Sequence, residues 1–177
     1  MEYYKEQPRI AFYPCCARDI REPIQLLQEF VDIVFFCDID RRLAIEGPRL
    51  AQSSRLATPA ARFLCLDARD AVANVDHIDV LFYRRDGSGE GGSALWVLGD
   101  SFLPDILSKF PPAGGTIITD GSNSRGALFK RMIRRTGLHR HGWHMKPHET
   151  QPFLDEHGLW FVDVKPDTEE TETTQSG

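Results

Sequence analysis

Two residues near the start of the chain have the types and spacing for phosphate chemistry. Cys15 and Arg21 have five residues between them in Tyr13-Pro14-Cys15-Cys16-Ala17-Arg18-Asp19-Ile20-Arg21. At that separation a loop between a strand and a helix can aim a thiolate and a guanidinium at one phosphate. The loop N–H groups would hold the dianion at the helix N-terminus. Three features oppose this chemistry: Asp19 and Glu22 bring negative charge beside the loop, no Ser or Thr follows Arg21, and no Asp-Pro pair supplies a general acid. The plainer alternative is that Cys15 and Cys16 pack behind a sheet.

Other segments invite chemistry less directly. His139, His141, His144 and His148 crowd into HRHGWHMKPH, but on a strand His139 and His141 share a face that His144 does not, so no metal site is expected. Cys15, Cys16, Cys37 and Cys65 show no CxxC spacing, which fits reduced thiols. The stretch Asp86 to Ser93 (DGSGEGGS) is rich in glycine but lacks the Lys-Ser/Thr ending of a phosphate-binding loop. It reads as a plain mobile loop or as a rim over a binding edge, with Arg84, Asp86 and Glu90 facing a substrate. Asp120-Gly121-Ser122-Asn123-Ser124 is either a helix-capping turn or a second rim contact. From Gly121 to His148 there are seven Lys and Arg and no carboxylate. Arg131, Arg134, Arg135 and Arg140, with Trp143 among them, form a basic flank suited to a nucleic acid or another anionic protein partner, or a solvated helix face.

Apolar patterning supplies the elements that must position these groups. Arg9 to Pro14 and Asp32 to Ile39 are apolar runs that predict buried strands. Between them Ile24, Leu27, Phe30 and Val31 recur at helical spacing, with Asp19 or Glu22 available as a cap. Arg62 to Leu66 and Ile78 to Tyr83 predict two more strands, separated by a short helix from Ala68 to Asn74. Leu103, Ile106, Leu107 and Phe110 mark a helix that ends at Pro111-Pro112. Thr116 to Thr119 is a fifth strand, and Phe129, Met132 and Ile133 mark the inner face of another helix. A strand from His139 to His144 and a stronger one from Leu159 to Val164 close the series. Between Arg41 and Ala61, Gly47-Pro48 and Thr58-Pro59 leave room for one helix, near Arg49 to Leu56.

Strands alternating with helices predict a three-layer α/β Rossmann-like fold, with a mostly parallel sheet and an antiparallel C-terminal edge hairpin. One domain is expected over residues 1–165, followed by an acidic tail, 166–177 (PDTEETETTQSG), that has no hydrophobic residue. Hydrophobic residues make up 41% and charged residues 27% of the 177, a folded rather than disordered composition. No apolar run approaches a membrane span, and MEYYKEQPR lacks the apolar core of a signal peptide, so a cytoplasmic protein is expected. The net charge of −5 opposes strong non-specific binding to nucleic acid.

This order of elements resembles the Rossmann-like fold of class I S-adenosylmethionine-dependent methyltransferases over most of residues 9–165. The resemblance implies S-adenosylmethionine as cofactor. It implies that the loop after the first strand wraps the methionine part, through Tyr13, Pro14, Cys15 and Asp19. An acidic residue ending the second strand would hold the ribose hydroxyls, at Asp38 or Asp40, and Asp67 with Ala68 would meet the adenine. Two departures are visible: Pro14-Cys15-Cys16-Ala17 has no glycine, and Tyr83-Arg84-Arg85-Asp86-Gly87 replaces the Asn/Asp-Pro-Pro-aromatic motif of amino-group methylators. No catalytic residue is carried over, and a catalytically inactive, ligand-binding member is an equal reading. A second resemblance, confined to Cys15 through Ile24, is to the loop of low-molecular-weight tyrosine phosphatases, including the Pro after the Arg.

Overall fold

A computed structural model describes residues 7–54, 59–84, 102–120, 138–148, 153–154 and 158–167. In chain order the elements are β1 (Ile10–Pro14), α1 (Arg21–Leu27), β2 (Ile33–Cys37), α2 (Leu43–Ser53), β3 (Ala60–Leu64), α3 (Ala68–Ala71), β4 (Val80–Tyr83), α4 (Leu103–Leu107), β5 (Gly115–Thr119), β6 (Trp143–Pro147), β7 (Phe153–Leu154) and β8 (Leu159–Pro166). They form one eight-stranded sheet in the order β3-β2-β1-β4-β5-β8-β6, with β7 paired to the start of β8. Strands β1 to β5 run parallel, and β8 is antiparallel to both β5 and β6.

The position of each strand follows from its composition. Every residue of β1 and of β4 is buried, as an apolar run requires when helices cover both faces of a parallel sheet. An aromatic row crosses the sheet: Phe82 meets Tyr13 edge-on at 4.8 Å, Tyr13 lies 6.0 Å from Phe36, and Phe36 stacks on Phe63 at 5.6 Å. The chain steps outward from β1 to β3, then returns to lay β4 against β1's other edge. That reversal makes the β1/β4 boundary the topological switch point, where open α/β sheets hold ligands.

Acidic side chains close the opposite ends of these strands. Asp32 accepts from the Arg9 N–H at 2.8 Å and Asp79 from the Ile10 N–H at 2.7 Å. Gly114 leads into β5 at φ +99°, and a Cβ there would collide with the Val164 carbonyl of β8. Only glycine fits that approach.

Several expectations are corrected. Helix α2 begins at Leu43 and contains Pro48; Gly47 lies so close to Phe63 of β3 that a Cβ would stand 2.6 Å from the ring, so packing on the sheet carries the helix through the lost hydrogen bond. Strand β3 starts at Ala60, in register with Ile33. His139 and His141 lie in a 3-10 turn (Leu138–His141), and strand β6 follows it, with Trp143 and Met145 half-buried and His144 and Lys146 exposed. Strand β8 runs through Pro166, into the stretch expected to be tail. The antiparallel C-terminal edge pair is as expected, with β8 against β5 and β6 outermost. The expected rim residues Asp86 and Glu90, the helix expected around Met132 with Arg131, Arg134 and Arg135, and residues 168–177 lie outside the described residues.

Candidate functional site at the strand ends

The loop after β1 takes an unusual backbone path. Cys15 has φ +55° and Ala17 φ +48°, left-handed conformations that cost a non-glycine residue about 1–2 kcal/mol each. Tertiary bonds hold them there. The Cys16 N–H donates to the Cys37 carbonyl at 3.0 Å, and the Ala17 N–H donates to Asp38 Oδ2 at 2.8 Å. The loop therefore keeps a glycine-type conformation at alternate positions without glycine. The Asp19 and Ile20 N–H groups bond to the carbonyls of Cys16 and Arg18. With four loop N–H groups engaged by the protein and Arg21 exposed on α1, no cradle for a phosphate dianion forms around Cys15.

Asp38 directly follows β2. Its Oδ2 takes the Ala17 N–H and its Oδ1 takes the Asp40 N–H at 2.9 Å, so each oxygen retains a second lone pair. Asp40, two residues on, is held by Arg42 through Nε at 2.8 Å and Nη2 at 2.6 Å. The Arg42 hydrogen bonds hold its carboxyl below the usual range. Asp67 caps α3, accepting from the Arg69 N–H at 2.9 Å and Arg69 Nε at 3.2 Å, both on Oδ1. Among the described residues its Oδ2 is left open. Ala68, the first residue of α3, is buried.

A cleft of about 610 Å³ opens beside Asp38 and Asp40, lined by these two with Ala17, Arg18, Ile39, Arg41 and Arg42. Ile39 is 74% exposed and Leu66, after β3, is 41% exposed. Large apolar residues so open beside charged groups present surface for a flat apolar partner. Neither was singled out in the sequence. The available signal was an aliphatic residue just past the end of a strand, flanked by acids in Asp38-Ile39-Asp40. Arg18 reaches across to α2 and pairs with Glu46 at 2.8 Å. Below the cleft, burial pushes the Cys37 thiol up to about 12, with Cys15, Asp38 and Asp67 adding to the effect.

At the switch point the arrangement differs. Tyr13 is fully buried and donates to Asp19 Oδ2 at 2.8 Å. Arg84, just past β4, donates through Nε to Asp19 Oδ2 at 2.5 Å and through Nη2 to Asp19 Oδ1 and Glu22 Oε2, both at 2.6 Å. Asp19 is thus not a helix cap, and α1 begins behind Ile20 with no side-chain cap. Burial alone would lower the Arg84 pKa, but the hydrogen bonds from Asp19 and Glu22 outweigh it and raise the pKa above normal. Arg84 was expected on a substrate rim, whereas it faces the β1 loop. Pro14 ends β1, buried, and Cys15 is half-buried.

The basic flank divides. Arg140 is exposed on the 3-10 turn, and Trp143 is half-buried, with its ring edge-on against Phe110 at 6.1 Å. His144 pairs with Asp167 at 2.9 Å and His148 faces Asp163 at 3.9 Å. Among the described residues no three His, Cys, Asp or Glu side chains are grouped to hold a metal, and no helix is long and apolar enough to cross a membrane.

No protein-family model matches the sequence. No curated protein matches it either. Solved structures do. SMU.1697c of Streptococcus mutans, crystallised with SAH, superposes with a TM-score of 0.55 at 11% identity, covering 89% of this chain and 88% of its own. A methyltransferase from Geobacter sulfurreducens gives 0.55 at 14% identity, covering 91% and 72%. Spermidine synthase from Thermotoga maritima gives 0.53 at 13% identity, covering 91% and 54%. At such identities the likeness establishes the fold, which is the α/β Rossmann-like fold of class I S-adenosylmethionine-dependent methyltransferases.

Proposed function

We propose that this chain is a ligand-binding member of the methyltransferase-like fold whose cleft takes an S-adenosyl nucleoside, S-adenosylmethionine or S-adenosylhomocysteine. The observation that carries this reading is Asp38. It stands at the end of β2, is held by the Ala17 N–H of the β1 loop, and keeps acceptor capacity on both oxygens inside a 610 Å³ cleft. A carboxylate in that state suits the two hydroxyl donors of a ribose. Ile39 offers its exposed side chain to an adenine face, and Asp67 Oδ2 offers an acceptor to the adenine amino group. Left-handed backbone at Cys15 and Ala17 supports the same reading, because it lets a loop without glycine follow the path that glycine usually permits.

When bound, S-adenosylmethionine would itself supply the transferable methyl group, and the protein's part is binding and orientation. No side chain among the described residues is assigned to the chemistry of transfer. Isothermal calorimetry with S-adenosylmethionine, S-adenosylhomocysteine and 5'-methylthioadenosine tests the proposal. Binding heat from at least one of them, reduced by Asp38→Ala, is expected. Absence of heat and of any thermal shift at millimolar concentration for all three would retire it.

A further inference from the structure

The C-terminal ends of the parallel strands leave different capacities for a guest. At the β2 and β3 ends, Asp38 keeps a lone pair on each oxygen and Asp67 keeps Oδ2. At the β1/β4 end the groups consume one another. Asp19 Oδ2 already accepts from Tyr13 and Arg84, Asp19 Oδ1 accepts from Arg84, and the same Arg84 Nη2 also serves Glu22. The pair is well shielded, with side chains 17% exposed for Arg84 and 26% for Asp19. It ties Arg84, the residue after β4, to both the β1 loop and α1, across the boundary where the chain reverses.

We infer that Arg84, Asp19 and Glu22 form a latch across the β1 and β4 ends, so that the crevice prefers a nucleoside without an amino-acid tail to one that carries it. This rests on the nucleoside reading above. A tail brings one carboxylate and one ammonium. The carboxylate's natural receptor is Arg84, but the Nε edge of that guanidinium is engaged bidentately by Asp19, and the cluster's net charge of one negative repels a further anion. On Asp19 an ammonium finds only the second lone pair of Oδ1, beside the Arg84 Nη2 that already bonds that oxygen. Seating the carboxylate on the Nε edge breaks charge-assisted bonds in a shielded site, where a carboxylate deprived of its partner is costly. A methylthio group asks for neither. Nor does ordinary pH open the latch, because Arg84 is held charged by its two carboxylate partners.

5'-Methylthioadenosine and S-adenosylhomocysteine share adenosine and a thioether and differ in the amino-acid tail. Calorimetry on the full chain is expected to show 5'-methylthioadenosine binding about tenfold more tightly or better. The double variant Asp19→Asn with Arg84→Gln conserves the cluster's net charge and is expected to narrow the ratio to about threefold or less. Wild-type affinity for S-adenosylhomocysteine equal to or above that for 5'-methylthioadenosine overturns the inference, as does a ratio that the double variant leaves unchanged. The wild-type comparison needs no variant to fold. Silence from both ligands instead removes the nucleoside reading, and hydrogen exchange then judges the latch alone: faster exchange at amides 16–20 in the double variant supports it, and unchanged exchange overturns it.

Discussion

Carboxylates stand at both ends of the parallel strands, and they serve different purposes. At the N-terminal ends Asp32 and Asp79 accept the first N–H groups of β1's segment, and Asp79 also holds His77 at 3.1 Å. At the C-terminal ends Asp38 and Asp67 bind loop and helix N–H groups but retain acceptor capacity toward open space. An acid at a strand end is therefore not a ligand contact by virtue of its place. What distinguishes the two sets is the cleft and the exposed aliphatic residue beside Asp38, with nothing comparable beside Asp79, whose neighbouring 250 Å³ hollow is lined by Arg9, Ala113, Gly114, Gly115, Thr116, Asp163 and Lys165.

Variants at the two ends should separate stability from binding. The largest effect belongs to Gly114→Ala, where both the positive φ and the approach of the Val164 carbonyl are violated. A loss of about 3 kcal/mol is expected in urea melts, with ligand affinity of the folded fraction unchanged. Asp79→Ala removes the acceptor of the Ile10 N–H and should cost about 1–3 kcal/mol, again without an effect on affinity. Asp38→Ala should cost a comparable amount and in addition lower nucleoside affinity at least about tenfold. If Asp79→Ala weakened binding as much as Asp38→Ala, the distinction between the two ends would be lost. Ile39→Ser sharpens the comparison, since its side chain is mostly in water already. Stability should move by less than about 0.5 kcal/mol, while affinity falls about tenfold through lost apolar contact with the base.

The sequence made the central sheet legible because β1, β2 and β4 are uninterrupted apolar runs, which have few alternatives in a chain of this composition. Asp38 and Asp67 come from the family resemblance rather than from the apolar pattern, which carries the second strand through Ile39 and past Asp38. The latch was not legible. Arg84 and Asp19 are 65 residues apart, and a side chain's partner at that separation depends on strand order rather than on local pattern. The backbone at Cys15 and Ala17 was hidden because left-handed conformation is normally announced by glycine, and here hydrogen bonds to Cys37 and Asp38 impose it on other residues. Helix α2 was misplaced because Pro48 is a reliable breaker only where no packing opposes it.

The smallest expected effect concerns the layer beneath the cleft. Burial raises the Cys37 thiol from 9.0 to about 12, and burial likewise raises the buried phenol of Tyr83 at the end of β4. A raised folded pKa favours the protonated form of the native state. The native state therefore keeps its proton at a pH where the unfolded chain has released it, and the stability that this represents is intact below pH 9.0. Between pH 9.0 and about 12 the unfolded state binds fewer protons than the folded one, so stability falls as pH rises. Urea melts at stepped pH should show this decline beginning near pH 9, and Cys37→Ala should flatten part of it while lowering the plateau. Rapid alkylation of Cys37 in the folded protein at pH 8 would contradict the burial on which the decline depends, since only an accessible thiolate reacts.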